Sequence, residues 1–304
     1  MQNSTNITTK MRYEQLYRNI LAKKSFLCVG LDPDLQKMPS FLASRDNPIY
    51  EFNREIILHT APYTVAYKLN TAFYEAYGVK GWQELNMTVE FIREKYPDLL
   101  IIADAKRGDI GNTAEMYAKA FFERMNCDAV TLAPYMGGDS IKPFLKFDGK
   151  WAIVLALTSN ASATDFEMLE VSHSELNPAA CNEKVGGGDS LMPLYERVIR
   201  ESLKLGSREN IMYVIGATRP EKLREIRRYA PDNFFLVPGV GAQGGTVKEV
   251  AENGMNDKCG LLINSSRGII YASSSEDFAI AAGEQAKRLA SEMEETLSRY
   301  GLLK

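Results

Sequence analysis

The sequence predicts an α/β fold, a single (β/α)8 TIM barrel over residues 1–304, on three observations. Eight short apolar runs recur along the chain, most of them lack polar/apolar alternation, and helical patterns stand between them. Runs without alternation suit strands buried on both faces of a parallel sheet. Eight of them alternating with helices is the count of a closed barrel, and the chain length is ordinary for one such domain. An open, doubly wound sheet is the alternative that counting leaves. No proline- or serine-rich linker divides the chain.

The elements follow in order. "FLCVGL" (26–31) is the first strand, followed by the helical pattern "EFNREIILHTA" and then "TVAYKL" (64–69). "GWQELNMTVEFIREKY" is a helix leading to "LLIIADA" (99–105), after which come "DAVTLA" (128–133) and "WAIVLALT" (151–158). "IMYVIG" (211–216), the helix "PEKLREIRRYA", "FFLVPG" (234–239), "GLLINS" (260–265) and a last helix at about 276–299 complete the set. Asn112 with Glu115, and Thr218 with Glu221, have capping-box spacing and predict helix starts. The excursion 159–192 follows the fifth strand, holds a triple glycine and is too long for a routine connection, so it reads as a lid or an insertion.

Composition narrows the function. The chain is 45% hydrophobic and 25% charged, with a net charge of −3, so nothing suggests a nucleic-acid surface. It has no 18-residue apolar run, and "MQNSTNITTKMRYEQ" lacks the apolar core of a signal peptide, which predicts a soluble cytoplasmic protein without a membrane partner. Cys28, Cys127, Cys181 and Cys259 are scattered, no CxxC occurs, and His59 and His173 are the two histidines. Neither a disulfide framework nor a zinc site is expected, and reduced thiols are.

In a barrel, chemistry sits where strands end and βα loops begin. Asp32 ends the first strand in "VGLDPD", Lys68 the second in "AYKLN", and Asp104 and Lys106 the third in "ADAKRGDIGNT", with Asp109 just beyond. Residues i and i+2 of a strand share a face, so Asp104 and Lys106 belong together. Charges on an inner face are costly unless paired or used. One such residue is ordinarily a satisfied ion pair or a helix cap; four at corresponding positions of three consecutive strands point to a site. A second kind of site follows the last two strands. "PGVGAQGGT" (238–246) is glycine-rich, and "NSSRGI" (264–269) carries Arg267. Glycines let backbone N–H groups approach an anion, these loops are the usual phosphate cradle of the fold, and a guanidinium clamps phosphate with its fork of donors. A tight turn is the plainer reading of the glycines.

These residues carry a resemblance. "DAKRGDIGNT" resembles the D-x-K-x-x-D-I signature of the orotidine 5′-monophosphate decarboxylase family. "VGLDPD", Lys68, "LTSN", "VPGVGAQGG" and "SSRG" match it in order, and the length with "GATRP" is similar to the longer-chain bacterial branch. The resemblance implies decarboxylation of orotidine 5′-monophosphate to uridine 5′-monophosphate, the last step of de novo pyrimidine nucleotide synthesis, without metal or organic cofactor. It implies that Lys106 protonates C6 after carbon dioxide leaves and that Asp104 sits against the departing carboxylate. Lys68 and Asp109 would complete an alternating charge network, Asp32 would hydrogen-bond the ribose, and Ser159 or Asn160 would meet the pyrimidine edge. Gln243, the backbone of Gly241 or Gly244, and Arg267 would hold the phosphate. It further implies a homodimer in which Asp109 and Thr113 cross to the neighbour's site.

The chemistry explains the residue types. Loss of carbon dioxide leaves an sp² carbanion, which a fixed ammonium stabilises and then protonates. Flanking carboxylates keep that ammonium charged. Repulsion between Asp104 and the substrate carboxylate is worth about 4 kcal/mol at 4 Å and an effective dielectric near 20, against the ~8–23 kcal/mol that enzymes supply. Carbanion stabilisation and phosphate binding energy must carry the rest. Two rival functions remain. Related sugar-phosphate decarboxylases and hexulose-phosphate aldolases share the D-x-K-x-x-D pattern but use a divalent metal, held by an acid on the second strand where this chain has Lys68. A non-catalytic phosphate-binding barrel is the other, and the intact acids and lysines count against it.

Overall fold

Each apolar run has side chains to bury on both faces, and the eight runs satisfy this by closing into a barrel. The computed structural model describes residues 11–172, 191–240 and 245–303. In chain order these form α1 (Tyr13–Lys23), β1 (Leu27–Leu31), α2 (Pro48–Thr60), β2 (Ala66–Asn70), α3 (Ala72–Glu75), α4 (Gly78–Lys95), β3 (Leu100–Arg107), α5 (Gly111–Lys119), β4 (Ala129–Leu132) and β5 (Trp151–Leu157). An antiparallel pair of β6 (Glu170–Ser172) and β7 (Leu191–Pro193) follows. The chain continues with α6 (Leu194–Leu203), β8 (Ile211–Ile215), α7 (Pro220–Tyr229), β9 (Phe235–Pro238), α8 (Val247–Gly254), β10 (Leu261–Ser265), α9 (Arg267–Ile270) and α10 (Phe278–Arg299). The barrel order is β1-β10-β9-β8-β5-β4-β3-β2, with β2 returning to β1 and every pairing parallel. All eight predicted strands are the barrel strands, so the open sheet is not the fold.

Helices pack outside through one apolar stripe each. α10 buries Phe278, Ala282, Ala286, Met293 and Leu297, a helical spacing, against the barrel and α2. Gly283 makes the α10–α2 approach possible, since a Cβ there would lie 2.9 Å from the His59 carbonyl oxygen. His59 is itself structural, with Nδ1 2.9 Å from the Glu55 carbonyl. α1 covers the N-terminal end of the barrel: Tyr13 meets the Phe234 ring at 4.9 Å, and Trp151 Nε1 donates to the Met11 carbonyl. At that same end the buried Asp128 pairs with Arg93 and accepts from the Ile101 N–H. Charges at this face serve stability, the opposite face being the one for chemistry.

Two capping expectations fail. Helix α5 starts at Gly111 with Ile110 as its cap, which places Asn112 inside the first turn. Helix α7 starts at Pro220, whose fixed φ suits the first helical position, so Thr218 lies outside it. The reciprocal capping box occurs instead at Thr246 and Glu249 on α8. Within the 159–192 excursion a short turn, Ala161–Asp165, and the antiparallel β6–β7 pair form the base. Residues 173–190, which contain His173, Cys181 and the body of the predicted lid, lie outside the described residues. Cys28, Cys127 and Cys259 are buried free thiols. Among the described residues no helix is long and apolar enough to cross a membrane.

Candidate active site

The C-terminal ends of β1, β2 and β3 deliver four charged side chains into one cluster. Lys68 Nζ lies 3.4 Å from Asp32 Oδ1 and 3.1 Å from Asp104 Oδ2, and Lys106 Nζ lies 2.7 Å from Asp104 Oδ1. The charges alternate along the row Asp32, Lys68, Asp104, Lys106. Exposure separates their roles: the Lys68 side chain is 7% exposed and the Lys106 side chain 49%. Lys68 is therefore the buried counter-charge, and Lys106 is the more exposed of the two lysines that line the cavity. Burial alone would push the Asp104 carboxyl up, but the Lys68 and Lys106 ammoniums outweigh it and hold it down to about 2. Burial likewise opposes the charge on Lys68, and Asp32 and Asp104 overcome it, raising Lys68 above the usual lysine value. Tyr271 fixes the Asp32 loop by donating to the Asp32 carbonyl and accepting from the Asp34 N–H.

Asp104 and Lys106 meet as strand alternation predicts, but through an irregular backbone. Ala103 pairs with Val130 and Arg107 with Leu132, so three residues of β3 oppose the single Thr131 of β4. Lys106 sits at φ 47, in the left-handed region. Thr131 Oγ1 accepts from the Lys106 N–H at 2.9 Å and donates to Asp104 Oδ1 at 2.9 Å. Thr131 was not legible as a site residue, because it lies within the apolar run "DAVTLA" and does not end it.

The charged row lines a cavity of about 600 Å³, a volume suited to a nucleotide-sized ligand. Ser159 and Asn160 line it after β5, Pro238 at the end of β9 with Gly239 and Val240 just beyond, and Arg267 after β10. Gly216 lets the β5 loop sit close, since a Cβ there would come 2.7 Å from the Ser159 backbone nitrogen. Glu167 holds that loop from behind by accepting from the Thr158 N–H at 2.7 Å. Asn264 lines the cavity floor, with Oδ1 facing the buried Cys28 thiol, a thiol that burial pushes up to about 12.

Three of the predicted residues are not described: Gly241, Gln243 and Gly244 lie outside the described residues. Two others stand apart from the cluster. Asp109 does not line the cavity; its carboxylate accepts from the Ile110 N–H at 2.8 Å. Thr113 lies exposed in the first turn of α5. Among the described residues no group of three or more His, Cys, Asp or Glu is placed to hold a metal ion.

Comparison with known proteins adds the family. Residues 25–281 match the Orotidine 5'-phosphate decarboxylase / HUMPS family. The chain belongs to that family. It is 53% identical over 287 residues to the orotidine 5'-phosphate decarboxylase of Flavobacterium johnsoniae, covering 94% of this chain and 98% of that one. The enzyme of the same name from Phocaeicola vulgatus is 50% identical over 287 residues, covering 94% of this chain and 99% of its own. The solved OMP decarboxylase of Leishmania donovani superposes with a TM-score of 0.72 at 32% identity, covering 93% of this chain and 99% of that chain. In this chain's cavity the ammonium of Lys68 stands between Asp32 and Asp104.

Proposed function

We infer that this protein is a carboxy-lyase that converts orotidine 5′-monophosphate to uridine 5′-monophosphate. The observation that carries the reading is the Lys106–Asp104 pair, 2.7 Å apart, lining the same cavity as Arg267. Arg267 takes the phosphate, Ser159 or Asn160 the pyrimidine edge and Asp32 the ribose. Asp104, held ionised by its two lysines, faces the substrate carboxylate and opposes it. Carbon dioxide departs and leaves the electron pair on C6. The Lys106 ammonium stabilises that charge and then donates its proton to the same carbon. The Asp104–Lys68 contact keeps the row in register while Lys106 is briefly neutral.

The sugar-phosphate branch is disfavoured by a specific contact. Lys68 Nζ stands between the Asp32 and Asp104 carboxylates, so the second strand supplies a cation where the metal-dependent enzymes carry an acidic metal ligand. The reaction accordingly needs no metal. Purified protein should consume orotidine 5′-monophosphate, followed by absorbance, at an undiminished rate after exhaustive chelation. Turnover that disappears with chelator and returns with magnesium would favour the metal-dependent alternative, and no turnover at all would sink the decarboxylase reading.

The working unit in this reading is a homodimer. Asp109 and Thr113 stand outside their own chain's cluster, and their segment carries exposed apolar side chains, Ile110, Met116 and Tyr117, as does the loop after β4 with Tyr135 and Met136. Exposed apolar groups gathered like this mark interaction surfaces. A two-fold pairing through this face sends Asp109 and Thr113 reciprocally into the neighbour's cavity. The excursion 159–192 begins at Ser159, which lines the cavity.

A further inference from the structure

A strand ladder cannot satisfy every backbone group when three residues oppose one, and β3 meets that situation at Asp104, Ala105 and Lys106. The Lys106 N–H has no carbonyl partner from β4 and takes Thr131 Oγ1 instead, at 2.9 Å. The proton of that same hydroxyl goes to Asp104 Oδ1 at 2.9 Å, the oxygen that also accepts from Lys106 Nζ at 2.7 Å. One hydroxyl thus closes a ring through the backbone of Lys106, the carboxylate of Asp104 and the ammonium of Lys106. The ring holds a conformation that lysine disfavours: φ at Lys106 is 47, and a left-handed residue bearing a side chain persists only where its surroundings over-determine it. Thr131 is completely buried and does not line the cavity, so it does not reach a ligand.

We propose that Thr131 is a positioning residue for the decarboxylation step, its hydroxyl holding Lys106 in the left-handed conformation that aims the ammonium along Asp104 into the cavity. The proposal rests on the decarboxylase reading above. Valine has nearly the shape of threonine but neither donates nor accepts, so T131V leaves the Lys106 N–H and Asp104 Oδ1 each short of a partner while keeping the packing. Serine keeps the hydroxyl and drops the methyl group. The residue acts on the group that stabilises the transition state and touches no part of the phosphate end, so its loss belongs in kcat, with KM and the affinity for uridine 5′-monophosphate nearly unchanged.

The test is steady-state kinetics of wild type, T131V and T131S on orotidine 5′-monophosphate, with product affinity measured by titration. A misplacement on the order of 1 Å costs about 100-fold in rate, so T131V should lose about 10- to 100-fold in kcat while KM and product affinity stay within about threefold. T131S should recover kcat to within about threefold of wild type. The proposal is overturned if T131V keeps kcat within threefold, if T131S falls as far as T131V, or if the loss appears in KM alone. Should T131V not fold, T131A against T131S makes the same comparison, with equal loss in both again overturning it. Inactive wild type would sink the decarboxylase reading separately. A crystal structure of T131V then still decides the conformational claim: Lys106 leaving the left-handed region upholds it, and Lys106 unchanged refutes it.

Discussion

Replacing Lys68 with methionine removes the buried charge and keeps much of the stem. Lys68 Nζ sits 3.1 Å from Asp104 Oδ2 and 3.4 Å from Asp32 Oδ1, at 7% exposure. At an effective dielectric near 20, each contact is worth about 5 kcal/mol of attraction, set against several kcal/mol for burying each ion. Without the ammonium, two carboxylates face each other across its position, and loss of one partner from such a buried set costs about 3–5 kcal/mol. The sign of the pH dependence follows from Asp104. Its folded carboxyl is held down to about 2, below the unfolded value near 3.9, so its contribution is present above about pH 4 and is lost as pH falls through 2. In K68M the Asp104 carboxyl loses one of the two ammoniums that hold it down and protonates at higher pH, which relieves the repulsion. The deficit relative to wild type should therefore be largest at neutral pH and shrink as pH falls toward 4. Urea midpoints at pH 7 and pH 4.5, read by circular dichroism, measure it, and turnover at pH 7 should drop with the displaced Asp104. A deficit below about 1 kcal/mol at pH 7, or one that grows on acidification, would refute the reasoning.

Other variants probe the remaining parts of the site. Lys106→Ala should abolish turnover while the fold survives; more than about one-tenth of wild-type activity would remove Lys106 as proton donor, since a transition-state group is worth several kcal/mol. Arg267→Ala should both raise KM and lower kcat, because remote binding energy is used at the reacting carbon, and added guanidinium should restore part of the rate. Wild-type kinetics in that variant would place the phosphate elsewhere. For the dimer, Lys106→Ala and Asp109→Ala chains refolded together in equal amounts should regain about a quarter of wild-type activity, since half the dimers are hybrids with one intact site each. No gain over either parent, despite confirmed subunit exchange, would mean that Asp109 serves its own chain.

The barrel and the identity of the charged row were legible in the sequence because both rest on local pattern. Runs such as "WAIVLALT" bury both faces wherever they go, so their count and spacing already imply a closed parallel sheet. Asp32, Lys68, Asp104 and Lys106 each end such a run, and strand ends are where this fold places its chemistry. The helix starts were less legible: Asn112 and Thr218 have the right spacing to cap, yet Ile110 and Pro220 set where α5 and α7 begin. What only the tertiary structure decided is how the row is held. Lys68 meets Asp32 and Asp104 across three strands, and Thr131 secures Lys106 from a fourth. The surplus residues in β3 exist only relative to β4, since a bulge is a mismatch between two strands and one strand's sequence cannot contain it. Periodicity reports which way a side chain faces; the distances that make those side chains a site come from closing the barrel.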